Sequence, residues 1–180
     1  PVSRKILEML KSTGSGYFLE EFPDLYLNGG LGIGMVTKPG LSCPVGHYAI
    51  NPVPRSMILG AVDEVMRQTP YEECLLIEIS IPDGERLASQ TFNPKLGIQG
   101  GISVLGTTGI VKPMSEEALL ETIRLEIHMK AVNGAKVLLM APGNYGEEFL
   151  KKTLGVPVGN AVLCSNFAKA AVLMAQKEGF

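Results

Sequence analysis

With 180 residues and a net charge of −2, the chain is too near neutral to be read as a binder of DNA or another polyanion. No apolar run reaches the length of a bilayer span; the closest, Ala161 to Ala175, is interrupted by Ser165, Asn166 and Lys169. Three scattered cysteines (Cys43, Cys74, Cys164) argue against a disulfide framework and, without a signal peptide, predict a cytoplasmic protein.

In chain order, Ser3 starts a short helix over Arg4 to Lys11, with Ile6, Leu7 and Leu10 as its apolar stripe. After a break at Thr13 to Gly16, Asp24 to Leu27 reads as a brief strand. It feeds a glycine cluster, Gly29 to Leu41. Gly30 and Gly32 are spaced as in a dinucleotide fingerprint, but Met35 stands where the third glycine belongs. Pro39 and Gly40 then forbid the helix that must come next, and the nucleotide reading fails.

Asn51, Pro52 and Pro54 form a rigid lead-in to a helix from about Arg55 to Gln68. Met57, Ala61 and Val65 share one face and Ile58, Val62 and Met66 lie beside them, which predicts a well-buried helix. Leu75 to Ile81 alternates as a strand. The Asn93-Pro94-Lys95 loop leads into the most glycine-rich stretch, Leu96 to Ala118, and a helix from Ser115 to about Val132 comes after it. Beyond Asn133-Gly134 the pattern becomes strand, loop, helix twice over: Lys136 to Met140, then Ala161 to Cys164. That order signals a parallel sheet with ligand loops at the strand C-termini.

The fold class expected is therefore an α+β part over residues 1–132, then the start of a Rossmann-like α/β part over 133–180. Two strands make a poor parallel sheet, and the chain opens on Pro1 and stops just after a helix. Both ends are expected to be cuts in a longer chain.

Glycine gives up more backbone freedom on folding than any other residue, so a cluster of it implies backbone pressed against another strand or a ligand. Gly101 and Gly106, with Thr107 and Thr108 directly after, have P-loop spacing, but Thr107 replaces the phosphate-clamping lysine. NTPase chemistry is excluded; an anion nest carrying two hydroxyls, or a plain tight turn, remains. Lys38, Arg55, Lys95 and Lys112 all lie close to Pro or Gly in the loop stretches. If those loops converge they form a cationic mouth for a small polycarboxylate or phosphate; otherwise they are ordinary surface cations. Cys43 and His47, four apart without a helix to align them, make a weak metal pair, and no protein-bound metal is expected. His128 reads as a packed or half-exposed helix residue. No nucleophile triad or carboxylate pair can be assembled, which points to chemistry by positioning or to no chemistry. Gly143, Asn144 and Gly146, with Ser165 and Asn166, come after the last two strands where α/β folds bind ligands, although helix capping would equally explain them.

Four stretches taken together, VTKPGL (36–41), PVGHYAINPVPRSMI (44–58), FNPKLGIQGGISVLGTTGIVKPMSEEAL (92–119) and CSNF (164–167), resemble the CbiD family of cobalamin biosynthesis. Its members are cobalt-precorrin-5B C1-methyltransferases of the anaerobic pathway, and their second domain is Rossmann-like. The resemblance implies S-adenosylmethionine as methyl donor, a corrinoid as acceptor, and cobalt-precorrin-6A as product. On that footing the acceptor is expected at Lys38, Asn51, Arg55, Asn93, Lys95, Gly101, Gly106, Thr107 and Thr108. The donor is expected at Gly143, Asn144, Gly146, Ser165 and Asn166. No nucleic-acid or membrane partner is expected, and homo-oligomers stay open. Leu31 stands where the family has an acid and His47 where an acid is usual. A non-catalytic corrinoid or anion carrier of the same pathway is the alternative.

Overall fold

The computed structural model describes residues 2–14, 16–106 and 115–180. It is a mixed α/β chain with small sheets, in two compact units: Pro1–Lys38 with Ser42–Ile110, and Pro39–Leu41 with Val111–Phe180.

The first unit is built around β2 (Phe22–Gly29), flanked by β1 (Tyr17–Leu19) running antiparallel and β4 (Leu75–Ile79) running parallel. Strand side chains alternate between faces, so β2 is covered twice. Leu25 and Leu27 belong to the core that includes Leu59 of helix α2 (Pro52–Arg67), while Tyr26 packs with Leu7 of helix α1 (Arg4–Thr13) and with Cys74. Leu25, Tyr26 and Leu27 are all essentially inaccessible. A strand buried on both faces reads as a continuous apolar run, which LYL is.

Helix α2 corrects the sequence expectation. It begins at Pro52, and of its residues only Leu59 is fully buried; Ile58, Val62 and Met66 pack beside it, whereas Met57 and Val65 are 52% and 62% exposed. Two adjacent apolar stripes both look like core on periodicity, but one sheet covers only one side of the helix.

The glycine segments form a second layer of backbone pairing. Strand β3 (Met35–Val36) pairs antiparallel with β5 (Ile98–Gln99), and single bridges join Ile33 to Ile102, Met35 to Tyr48 and Ile50 to Val104. Segments 29–37, 46–51 and 96–104 thus become one hydrogen-bonded bed. Between β4 and β5 lies a short helix, α3 (Gly84–Ala88), where the sequence shows only a turn and a polar segment.

The second unit packs α4 (Glu116–Val132) and α6 (Ala168–Lys177) around a parallel pair, β6 (Leu139–Ala141) and β7 (Ala161–Leu163), with α5 (Asn144–Lys152) between the strands. Ile123 and Ile127 of α4 share a core with Val162, Cys164, Ala171 and Ala175. The sequence places α4 in the part over residues 1–132. It packs instead with the C-terminal elements, because its apolar stripe faces β7 and α6. Asn133 also reaches back, donating from Nδ2 to the Pro39 carbonyl at 3.3 Å.

Candidate functional site

The bed in the first unit explains its glycines. Gly32 has φ +76°, a left-handed conformation that favours glycine, and a Cβ there would overlap the Ile81 carbonyl. A Cβ on Gly101 would overlap the Gly32 carbonyl. Here glycine is pressed against backbone, so Gly101 serves packing. Asn93, expected to hold ligand, is buried: its Nδ2 donates to the Gly101 carbonyl at 3.3 Å and its Oδ1 accepts from the Ser103 hydroxyl at 3.3 Å. Gly106 ends the described part of the stretch; Thr107, Thr108 and Lys112 lie outside the described residues.

Two of the expected cations border the turn at Gly97. The stem of Lys38 lies against Gly97, whose carbonyl accepts from the Thr37 amide and hydroxyl, and Lys95 sits two residues before Gly97. Both lysines are exposed. Arg55 lies in the first turn of α2, where its guanidinium carbon is 4.0 Å from the centroid of the Tyr17 ring.

Tyr17, which the sequence reading missed, organises this second spot. It comes from β1, a three-residue strand hidden behind the Thr13–Gly16 break. Its hydroxyl donates to the Tyr48 carbonyl, and the His47 ring lies 5.3 Å away between centroids, tilted by 36°. Burial pushes the Tyr17 phenol well above its ordinary value; the neighbouring Cys43 adds to the rise and Arg55 opposes it. Cys43 is buried and its thiol donates to the Ile50 carbonyl at 3.3 Å, with Asn51 Oδ1 at 3.6 Å. Asn51 precedes α2 without capping it. Its side chain faces the thiol. Among the described residues no three His, Cys, Asp or Glu side chains gather as a metal-ligand set.

In the second unit the two expected loops are neighbours. The register Ala141 to Leu163, with the Cys164 amide donating to the Ala141 carbonyl at 2.9 Å, sets Pro142-Gly143 beside Cys164-Ser165. The capping explanation does not hold for either loop. Gly143 is the residue before α5 and Phe167 the one before α6, and neither helix has a side-chain cap. Asn144 and Asn166 are exposed; Ser165, at φ +48°, donates its hydroxyl to Asn166 Oδ1 at 2.6 Å. Gly146 closes the first turn, its amide bonded to the Gly143 carbonyl at 2.9 Å. His128 is half-exposed and bonded to the Glu178 carboxylate at 3.0 Å.

The family model CbiD matches residues 12–113. A cobalt-precorrin-5B C(1)-methyltransferase of Ruminiclostridium cellulolyticum is 50% identical over 144 residues, covering 80% of this chain and 38% of the relative. One of the same name from Desulfitobacterium hafniense is 50% identical over 149 residues, covering 83% and 38%. A crystal structure of the cobalamin biosynthesis protein CbiD from Archaeoglobus fulgidus is 22% identical, covers 85% of this chain and 57% of that one, and gives a TM-score of 0.44. The chain thus spans 38% of the length of these two curated relatives. The match runs through β1, the whole glycine bed and the start of α2, where Tyr17, His47 and Arg55 stand, and on it the chain belongs to the CbiD family.

Proposed function

We propose that this chain forms part of a cobalt-precorrin-5B C1-methyltransferase that takes its methyl group from S-adenosylmethionine and yields cobalt-precorrin-6A in the cytoplasm. The observation that carries the reading is family membership, with relatives of that name half identical over four fifths of the chain. We read the second unit as Rossmann-like from its parallel β6–α5–β7 order. Its two adjacent loops fit the donor: Gly143 has open space around its Cα, and Asn144, Ser165 and Asn166 offer exposed amides and a hydroxyl for a ribose or an amino-acid end. The acceptor, a cobalt corrinoid bearing acetate and propionate side chains, suits the cations of the first unit.

The donor supplies an electrophilic methyl on sulfur. In-line transfer requires an enzyme to align donor and acceptor, exclude water and fix the acceptor's carboxylates. Such positioning contributes up to roughly 7–11 kcal/mol to barrier lowering without an acid or base. That accords with the lack of a nucleophile triad or carboxylate pair in the sequence. The test is transfer of a labelled methyl group from S-adenosylmethionine to cobalt-precorrin-5B by the intact protein. Label in the corrinoid is the expected result. A folded protein that binds the corrinoid and leaves it unlabelled would be a carrier instead.

A further inference from the structure

Among the described residues, Arg55 is the arginine without a carboxylate. Arg4, Arg67, Arg86 and Arg124 each pair with an Asp or Glu at 2.5–2.7 Å, and among the described residues Arg55 pairs with none. It is instead laid over the Tyr17 ring at 4.0 Å, and its Nε is buried without a hydrogen-bond partner. His47, tilted against the same Tyr17 ring, also buries an unpartnered nitrogen, Nδ1. Tyr17 bonds neither one; its hydroxyl donates to the Tyr48 carbonyl.

A buried polar nitrogen left unpaired destabilises a protein, so Arg55 Nε and His47 Nδ1 beside one fixed ring mark a place that something else completes. A guanidinium held by its flat face presents its N–H edge, which matches the two oxygens of a carboxylate. Ring stacking also removes rotamer freedom before binding, lowering the cost of capture.

We infer that Arg55, held by Tyr17 and joined by His47, is a receptor for one carboxylate of a polycarboxylate ligand. As to which ligand, this rests on the corrinoid reading above; as to the carboxylate, it rests on the geometry alone. Tyr17 is a positioning residue here, and Arg55 and His47 are the contacts.

The experiment uses the intact protein, labelled with nitrogen-15 in arginine, and two probes. Uroporphyrin I is a macrocyclic polycarboxylate tracked by its fluorescence, with its methyl ester as the uncharged control; citrate is a small polycarboxylate without a ring. Uroporphyrin is expected to bind, its ester is not, and the Arg55 Nε–H resonance is expected to move with either acid. Arg55→Gln should weaken uroporphyrin about tenfold or more. Tyr17→Phe keeps the ring and should keep the resonance and the affinity. Tyr17→Leu should shift the free resonance and weaken binding. Uroporphyrin bound by Arg55→Gln to within about twofold of wild type would overturn the receptor while leaving the corrinoid reading intact. Citrate moving the resonance, with no uroporphyrin bound, would keep the receptor and sink the corrinoid as its ligand. An Arg55 resonance that neither acid moves overturns the inference.

Discussion

Gly32 and Gly101 pack backbone to backbone, with the Ile102 amide donating to the Gly32 carbonyl at 3.0 Å and the Gly34 amide to the Ile102 carbonyl at 2.9 Å. Nothing larger than hydrogen fits between them. Gly101→Ala would put a methyl into a carbonyl that cannot swing aside, so a loss of about 1–3 kcal/mol is expected. Gly143, extended and with open space around its Cα, should accept alanine with a change below about 0.5 kcal/mol. Urea midpoints of the two variants check the contrast.

Asn93→Ala removes the side chain that ties Gly101 and Ser103 to the loop and leaves both without that partner. The expected cost is about 1–3 kcal/mol, read from the same midpoints. Because Asn93 is buried, its replacement should lower stability before it touches any ligand constant measured on the folded fraction.

On α2 the exposed stripe and the buried one should separate cleanly. Leu59→Ala is expected to cost about 2–5 kcal/mol, and Val65→Lys to stay within about 0.5 kcal/mol. Thermal unfolding of this chain shows which stripe carries the packing.

The raised phenol of Tyr17 makes a prediction for alkaline pH. Below about pH 10, the ordinary tyrosine value, folded and unfolded chains both hold the proton and the effect is flat. Above it the unfolded chain releases the proton while the folded one keeps it, so stability falls as pH rises, by up to about 1.4 kcal/mol per unit. Comparing urea midpoints of wild type and Tyr17→Phe from pH 9 to pH 11 isolates the tyrosine. Parallel curves would show that this phenol titrates alike in both states.

The parts of the fold that local pattern decides were legible in the sequence. Leu75, Ile77 and Ile79 alternate as β4 does, and strand, loop and helix recur as β6, α5, β7 and α6. Contacts made across the chain were not legible. Gly101 looked like part of a phosphate nest because its spacing is visible in sequence and the Gly32 carbonyl behind it is not. Met57 looked buried because periodicity counts apolar residues without showing how many faces are covered. Tyr17 carries no signal in sequence, since a strand of three residues has almost no periodicity and its partners Arg55 and His47 lie far along the chain. In sequence Arg55 is one of four loop cations; that it has no carboxylate partner among the described residues shows only beside the other, paired arginines.

The parallel pairing of β2 with β4, which sets Leu25 against Leu75, also governs when the first unit can assemble. A chain emerging from the ribosome can close the β1–β2 hairpin early, but β2 keeps one edge and one face uncovered until α2 and β4 have emerged. Closing so long a loop loses entropy before any contact repays it, and the glycine bed waits still longer for residues 96–104. Nascent β2, with Leu25, Tyr26 and Leu27 in a row, therefore keeps apolar surface uncovered until α2 and β4 have emerged.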